Sequence, residues 1–168
     1  MAKNWQLPGT QLNVPLLSTG ALAGLIATIP MTLFMLLMHR LLPKWQKYAL
    51  PPERITHELS ERTGAHKYLD KPRLLGATLV SHFGYGAFMG TLYGTLSKRI
   101  TLPLPAAVKG GIFGVIIWAG SYLGWLPAMN MAAAGTEEPL RRNGLMIGAH
   151  VVWGVTTGII TNVVERNL

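Results

Sequence analysis

Two histidines occupy the same place in a pattern that the chain contains twice. His82 lies within residues 73–90 and His150 within residues 141–158, at a constant offset of about 68 residues. In each copy an arginine, a glycine, the histidine, an aromatic residue and two further glycines follow at identical spacing. Because each histidine precedes a glycine by four residues, both lie on one face of a helix. The pattern predicts a duplicated helix that carries an imidazole on its glycine-rich face.

An imidazole pair of this kind has one structural use and three chemical ones. Structurally, the rings would hydrogen-bond across helices to groups such as Thr78, Ser81 or Tyr85 and fix the packing. Chemically, His82 and His150 are candidate axial ligands of a tetrapyrrole, either b-type haem or a chlorin, beside glycines that leave room for a flat ring. They are also candidates for a proton- or metal-responsive site, because imidazole titrates near neutral pH. Further groups for such a site are His39, His57, His66, Glu137 and Glu138.

An enzymatic site is the remaining use, and the sequence lacks the motifs that would support it. The glycines in residues 84–90 have the wrong spacing for a dinucleotide-binding loop. Residues 120–124 do not match the nucleophile elbow of hydrolases. The chain has no cysteine, which excludes thiolate metal sites, iron–sulfur clusters and disulfides. We therefore predict a non-enzymatic protein with no catalytic residues and no dedicated metal site.

The composition places the chain in the lipid bilayer rather than in water. Only 13% of its residues are charged and 49% are hydrophobic, against a charged fraction of about 25% in soluble domains. The formal net charge of +8 comes from basic residues between apolar segments, where they meet anionic headgroups. We therefore expect the bilayer as a partner and no nucleic acid. The stretch before residue 14 has one basic residue, Lys3, and is expected to be retained rather than cleaved.

The hydrophobic segments predict an all-α, polytopic membrane protein with a single membrane domain over residues 1–168. Four transmembrane helices are expected near residues 16–42, 74–96, 106–126 and 143–164, each meeting the ~20 residues that cross the hydrocarbon layer. The polar connector, residues 43–73, contains a short helix that begins at Pro51 and Pro52 and ends at Gly64. We expect this connector to be solvated rather than docked, because its apolar stripe is thin.

Small residues at every fourth position predict close contacts between these helices. The expected packing glycines are Gly86, Gly90, Gly94, Gly110, Gly114, Gly154 and Gly158. Since the repeat covers a pair of spans, the four-helix bundle should consist of two tandem helical hairpins related by a pseudo-twofold axis along the membrane normal. Gly20 and Gly24 align weakly with Gly110 and Gly114. The axis would bring His82 and His150 to one level, facing inwards.

The histidine-bearing segments, residues 81–86 and 148–153, resemble those of the YagU-like bacterial inner-membrane proteins. Trp125, Leu126 and Pro127, after the third span, are also similar to that family. The resemblance covers mainly spans two to four. It implies a multi-pass fold in the bacterial inner (cytoplasmic) membrane, and it supplies no catalytic residues.

Two functions are compatible with these patterns. The first is a non-enzymatic accessory or scaffold subunit whose inward-facing histidines fix the interior and are candidates for tetrapyrrole ligation. The alternative is a small proton- or metal-responsive channel or transporter. Glycine on several faces predicts further helix association, so the expected partners are a second copy of the chain or other membrane-protein subunits.

Overall fold

The structure, a computed structural model, describes residues 14–100 and 102–167, and these are helical with no strand. The helices are α1 (Val14–Leu41), α2 (Pro51–Arg62), α3 (Lys71–Arg99), α4 (Ala106–Ala119), α5 (Leu126–Ala128) and α6 (Leu140–Arg166). Short 3₁₀ turns lie at Lys44–Gln46 and Ala65–Lys67, and a π-helical turn, Gly120–Trp125, joins α4 to α5. The all-α prediction is confirmed for the described residues. The expectation for the stretch before residue 14 concerns residues outside the described part.

Three stretches of the described chain are long and apolar enough to cross a membrane. They are Leu17–Leu41, Ala106–Ala128 and Leu140–Arg166. Large apolar side chains on α1, α3 and α4 point away from the interior, among them Leu33, Leu37, Val80, Phe88 and Ile116. An apolar outer surface is stable in lipid and unfavourable in water. By length, composition and surface, the chain is a membrane protein.

The long helices form two antiparallel pairs. The first pair is α1 with α3, and the second pair is α4 with α6. Helix α1 also packs along α6, where Met31, Met35, Met146 and Ala149 form part of the buried core. Helices α3 and α4 instead meet mainly through large side chains, such as Tyr93 of α3 against a ring of α4. The interior is therefore closed on the α1–α6 side and looser on the α3–α4 side.

Glycines line the seam of each helix pair. Six of the seven predicted packing glycines lie so close to the facing helix that an added Cβ would overlap its atoms: Gly86, Gly90, Gly110, Gly114, Gly154 and Gly158. The seventh, Gly94, is buried in α3. Contacts of this kind let two backbones approach closely and pack without large side chains between them.

The two seams have the same geometry in a register that differs from the sequence alignment. Gly24 faces the carbonyl oxygen of Gly86 and the Cα of Gly90. Gly110 faces the equivalent atoms one repeat later, Gly154 O and Gly158 Cα. Gly24 is therefore the counterpart of Gly110. The sequence alignment matched Gly20 with Gly110, and this is wrong by four residues, or about one helical turn.

The connector is docked on the bundle, so the expectation of a solvated connector is wrong. Helix α2 begins at Pro51 as predicted, but its Thr56 and Ser60 are buried. Thr56 Oγ1 lies 3.2 Å from Ser81 Oγ of α3. At the end of α2, Arg62 donates to the carbonyl oxygen of Met129 in the loop before α6. Ile55 packs against the buried core and the polar contacts add to this, so a thin apolar stripe is enough to dock the helix.

The third predicted span is not one continuous α-helix. It changes to the π-helical turn after Ala119, and Gly124 has φ −115° and ψ −105°, which are not helical values. The wider turn frees the carbonyl oxygen of Tyr122, which accepts from the backbone N–H of Gly135 at 2.8 Å. A loop residue thus satisfies a group that an α-helix would have satisfied itself. π-Helical turns of this kind are common at functional sites.

Candidate functional site: a cavity with two histidines

A cavity of about 230 Å³ lies in the interior, and both repeated histidines line it. Its walls come from all four long helices and the π-helical turn. Most of the lining is apolar or aromatic, and it includes Met31, Met35, Met89, Tyr122, Trp125 and Trp153. Pro51 and Ile55 of α2 close one end. The structure therefore brings His82 and His150 to one site, as the repeat predicts.

The His82 ring is held by the neighbouring helix of its own pair. Its Nε2 lies 3.1 Å from Thr32 Oγ1, and the Thr32 hydroxyl lies 2.7 Å from the carbonyl oxygen of Thr28. A carbonyl can only accept, so the Thr32 hydroxyl donates to Thr28 and accepts from His82. The proton of the neutral His82 ring is therefore on Nε2. This hydrogen bond ties α3 to α1.

The His150 ring has the opposite arrangement. Its Nδ1 lies 2.8 Å from the carbonyl oxygen of Met146, one turn earlier on the same helix, so Nδ1 carries the proton. In the neutral ring Nε2 is then a bare acceptor, and within the described residues it has no hydrogen-bond partner. The Tyr122 ring packs edge-on against the imidazole, with centroids 5.8 Å apart. The residue is only 7% exposed.

Two differences between the repeats explain the opposite arrangements. In the first copy Ser81 donates to the carbonyl oxygen of Thr78, the equivalent of Met146. In the second copy Ala149 replaces that serine and leaves the Met146 carbonyl for the histidine. By the seam register, Trp118 stands on α4 where Thr32 stands on α1, so the hydroxyl that bonds His82 has no counterpart at that position. Equivalent histidines thus have different partners.

On the α3–α4 side the cavity wall includes a contact between α3 and the π-helical turn. Tyr85 Oη and Ser121 Oγ are hydrogen-bonded there at 3.1 Å. The Tyr85 ring also contacts Trp125, with centroids 6.3 Å apart. Trp125 lines the cavity and is also 37% exposed, so it reaches from the cavity to the outer surface.

A buried arginine fixes the connector that closes the other end. Arg142 is 1% exposed, and its guanidinium donates to the carbonyl oxygens of Gln46, Tyr48 and Ala49. Its Nε lies 3.3 Å from a carboxylate oxygen of Glu138. The guanidinium carbon is 3.6 Å from the centre of the Tyr48 ring. Four contacts from one side chain, three hydrogen bonds and the contact with the Tyr48 ring, hold the chain segment that leads into α2.

The Glu138 carboxylate also binds two residues of the connector. Arg54 pairs with Glu138 at 3.2 Å, and the Tyr48 hydroxyl donates a hydrogen bond to it. Burial, and after it this hydrogen bond, raise the pKa of Tyr48 above its usual 10, so the phenol remains a donor. Arg142, Glu138, Arg54 and Tyr48 are called the Arg142 cluster below.

The other residues considered for a metal- or proton-responsive site do not converge. His39 contacts the carbonyl oxygen of Tyr48, and His57 pairs with Glu61 at 3.7 Å. Glu137 accepts from a backbone N–H of its own loop. Across residues 14–100 and 102–167, no group of three or more His, Asp or Glu side chains is placed to hold a metal ion. His82 and His150 are therefore the main candidates for chemistry among the described residues.

Sequence reasoning missed Arg142, Thr32 and Ser121. The repeat drew attention to Arg141, which is exposed, rather than to its buried neighbour. One signal was present in the sequence, because Glu138 and Arg142 are oppositely charged and only four residues apart. Thr32 and Ser121 carry no motif, and only the packing brings them to the histidines and to Tyr85.

Comparison of the chain with family models, with curated proteins and with solved structures found no match.

Proposed function

We propose that this chain is a non-enzymatic accessory or scaffold subunit of the bacterial inner membrane. It would act as a four-span bundle of two helical hairpins with an enclosed histidine pair. The observation that carries the proposal is the environment of the two rings. Both line an apolar cavity to which no acidic side chain of the described residues contributes, and each ring hydrogen-bonds to a structural group of the bundle. The inner-membrane assignment rests on the YagU-like resemblance.

Helix α3 is proposed as the fourth membrane span. It is 29 residues long, and residues 74–97 within it contain no charged side chain. Arg73 precedes this stretch and Lys98 follows it, as expected for basic residues at membrane interfaces. Many glycine, threonine and serine residues lower its hydropathy, but their hydroxyls bond to carbonyls of the same helix, as Thr78 does to Leu74. Val80 and Phe88 give the helix an exposed apolar face.

For the histidine pair, the geometry favours fixing the interior over axial ligation of a tetrapyrrole. Ligation of one metal by both rings needs a bare nitrogen on each, directed to the same point. His82 uses its Nε2 proton on Thr32, so this ring would first have to break the contact. The cavity, at about 230 Å³, is also smaller than the roughly 300–1,000 Å³ of most ligand pockets.

A second copy of the chain is the proposed partner. An apolar groove on the outside of the second helix pair is lined by small and branched residues, including Ala107, Gly111, Val115, Val151 and Val155. In a bilayer the hydrophobic effect does not drive helices together, so such small-residue surfaces associate through close packing. This supports assembly through α4 and α6.

The proposal is tested by the mass of the purified protein in mild detergent. We expect the wild type to elute as a complex larger than the monomer. Val115→Trp, which fills the groove, should shift it towards the monomer, whereas Leu75→Trp on exposed α3 should not. A monomeric wild type with no co-purifying membrane protein would contradict the accessory role.

A further inference from the structure

We infer that the cavity binds a neutral lipophilic molecule with a planar ring and a hydroxyl group, and that this hydroxyl donates to His150 Nε2. The ligand class is therefore a phenol or quinol of one or two rings. The inference rests on the proposed function only in treating the cavity as the functional centre of a membrane bundle. It does not depend on the oligomeric state.

The size and walls of the cavity suit such a ring. An engineered, apolar cavity of about 150 Å³ in another protein stays dry and binds benzene, and this cavity measures about 230 Å³. Tyr122, Trp125 and Trp153 line it with aromatic surface, against which another ring packs edge-on or offset. Met35 and Met89 have flexible side chains that adapt to a ligand's shape.

The polar group that the cavity offers is the acceptor nitrogen of His150. The residue is 7% exposed, and its Nδ1 proton is already used by Met146. Among the described residues the His150 ring bonds through Nδ1 to the Met146 carbonyl, which leaves Nε2 as the ring nitrogen available on the cavity side. A polar group in apolar surroundings is stabilised when it gains a hydrogen bond. A ligand that donates one hydrogen bond would satisfy it. A hydrocarbon or a pure acceptor would not.

Charged ligands fit the site poorly. Among the described residues, the lining includes no Asp, Glu, Lys or Arg side chain to pair with an ion. Moving an unpaired charge from water into such surroundings is strongly unfavourable. A neutral hydroxyl, in contrast, loses little when its hydrogen bond to water is replaced by one to an imidazole.

The α3–α4 side of the cavity is the proposed route of the ligand from the bilayer. Trp125 forms part of the lining and is also partly exposed on the outer surface. The hydrogen bond between Tyr85 and Ser121 joins α3 to the π-helical turn, where α3 and α4 otherwise meet loosely. Loss of this one contact would loosen that side, which suits a molecule that partitions into lipid.

The test compares 2-naphthol with naphthalene, which have the same ring system and differ by the hydroxyl. Binding is measured by equilibrium dialysis against the full chain in lipid nanodiscs, with empty nanodiscs as the blank. We expect 2-naphthol to bind about tenfold more tightly than naphthalene, the range of one net hydrogen bond. His150→Phe should remove this preference, and His57→Phe, the same exchange at an exposed position outside the cavity lining, should keep it.

Three results would overturn the inference. They are binding no greater than to empty nanodiscs, equal binding of the two probes, and a preference that survives His150→Phe. If His150→Phe fails to fold by circular dichroism, the wild type decides. The ¹⁵N resonance of His150 Nε2 should then move on adding 2-naphthol, and an unmoved resonance contradicts the inference. None of these outcomes depends on the mass measurement that tests the accessory role.

Discussion

The first helix pair, α1 with α3, and the second, α4 with α6, share a seam but differ at the histidine. In both seams the glycines meet backbone atoms of the facing helix in the same register. One turn away, His82 is bonded across to Thr32, while His150 is bonded to its own helix and leaves Nε2 bare. The difference teaches that a duplicated backbone contact can hold two chemically different sites. A serine-to-alanine change and a threonine-to-tryptophan change are enough.

A second difference between the two pairs is at the N-terminal end of the helix that carries each histidine. Arg142 opens α6 and holds the connector, whereas its equivalent in the first copy is Leu74, which cannot form such contacts. Only the second pair therefore fixes the segment that closes the cavity. The chemistry of the site is concentrated in one half of the duplicated structure.

The largest loss of stability is expected from removing the contacts of Arg142 with the connector. Arg142→Leu leaves three carbonyl oxygens without their donor, while Glu138 keeps its contacts with Arg54 and Tyr48. Each buried polar group left unsatisfied costs about 1–3 kcal/mol, so three together cost about 3 kcal/mol or more. We expect a decrease of that order in unfolding free energy, measured by circular dichroism during denaturation in detergent. Arg141→Leu, the exposed neighbour, should change stability by less than about 0.5 kcal/mol, and a similar loss in both variants would contradict the role of Arg142.

The seams should respond unequally to a methyl group. Gly154→Ala would place a Cβ against backbone atoms of Gly110 and Gly114, which cannot rotate away. Overpacking of this kind costs about 1–3 kcal/mol. Gly86→Ala meets the Thr28 side chain first, so it should cost less.

Two controls accompany these glycine variants. Gly144→Ala lies in open space on α6 and should stabilise the helix by about 0.5–1 kcal/mol. Thr28→Ala should partly rescue Gly86→Ala, because it removes the colliding hydroxyl. Equal losses from Gly86→Ala and Gly154→Ala would show that the seams are more alike than the geometry indicates. All variants are compared by the same denaturation measurement.

A smaller effect is expected from the aromatic residues that follow the histidines in the repeat. Trp153 Nε1 donates to the carbonyl oxygen of Gly24 at 3.1 Å, in the buried contact between α6 and α1. Trp153→Phe should cost about 1 kcal/mol for the lost hydrogen bond, in addition to a smaller ring. Tyr85→Phe removes the half-buried bond to Ser121 and should cost less. If Tyr85→Phe were the more destabilising variant, the α3–α4 side would be tighter than described.

The smallest change in stability is expected from variants that change the hydrogen-bond partners of the two histidines. Thr32→Val removes the acceptor of His82 Nε2 with little change in shape. Ala149→Ser introduces in the second copy the hydroxyl that Ser81 supplies in the first. We expect each to alter the protonated nitrogen of the nearby ring with a loss of about 1 kcal/mol or less. Histidine ¹⁵N spectra of both variants measure this, and unchanged spectra would count against the stated partners.

Much of the fold followed from local patterns. The apolar segments and the proline and glycine signals predicted helix positions, and α2 begins at Pro51 as expected. Glycine spacing predicted the seam residues, because a residue without a Cβ lets a neighbouring helix approach closely. The register of α1 against α4 was not readable, since Gly20 and Gly24 give two matches that differ by one turn. Thr32 could therefore not be assigned to His82.

The docked connector and the π-helical turn were missed for a different reason. Both depend on polar contacts between distant segments, such as Arg62 with Met129 and Gly135 with Tyr122. Hydropathy and periodicity describe the face that a helix buries. They do not indicate which carbonyl oxygen a remote donor will find.

The most direct test of the account is the protonation of the two rings, read from the ¹⁵N shifts of histidine-labelled protein in nanodiscs. His82→Gln and His150→Gln serve to assign the resonances. From the hydrogen-bond partners, we predict that His82 carries its proton on Nε2 and that His150 carries its proton on Nδ1. The same tautomer on both rings would contradict it, because the two copies would then be chemically as well as geometrically equivalent.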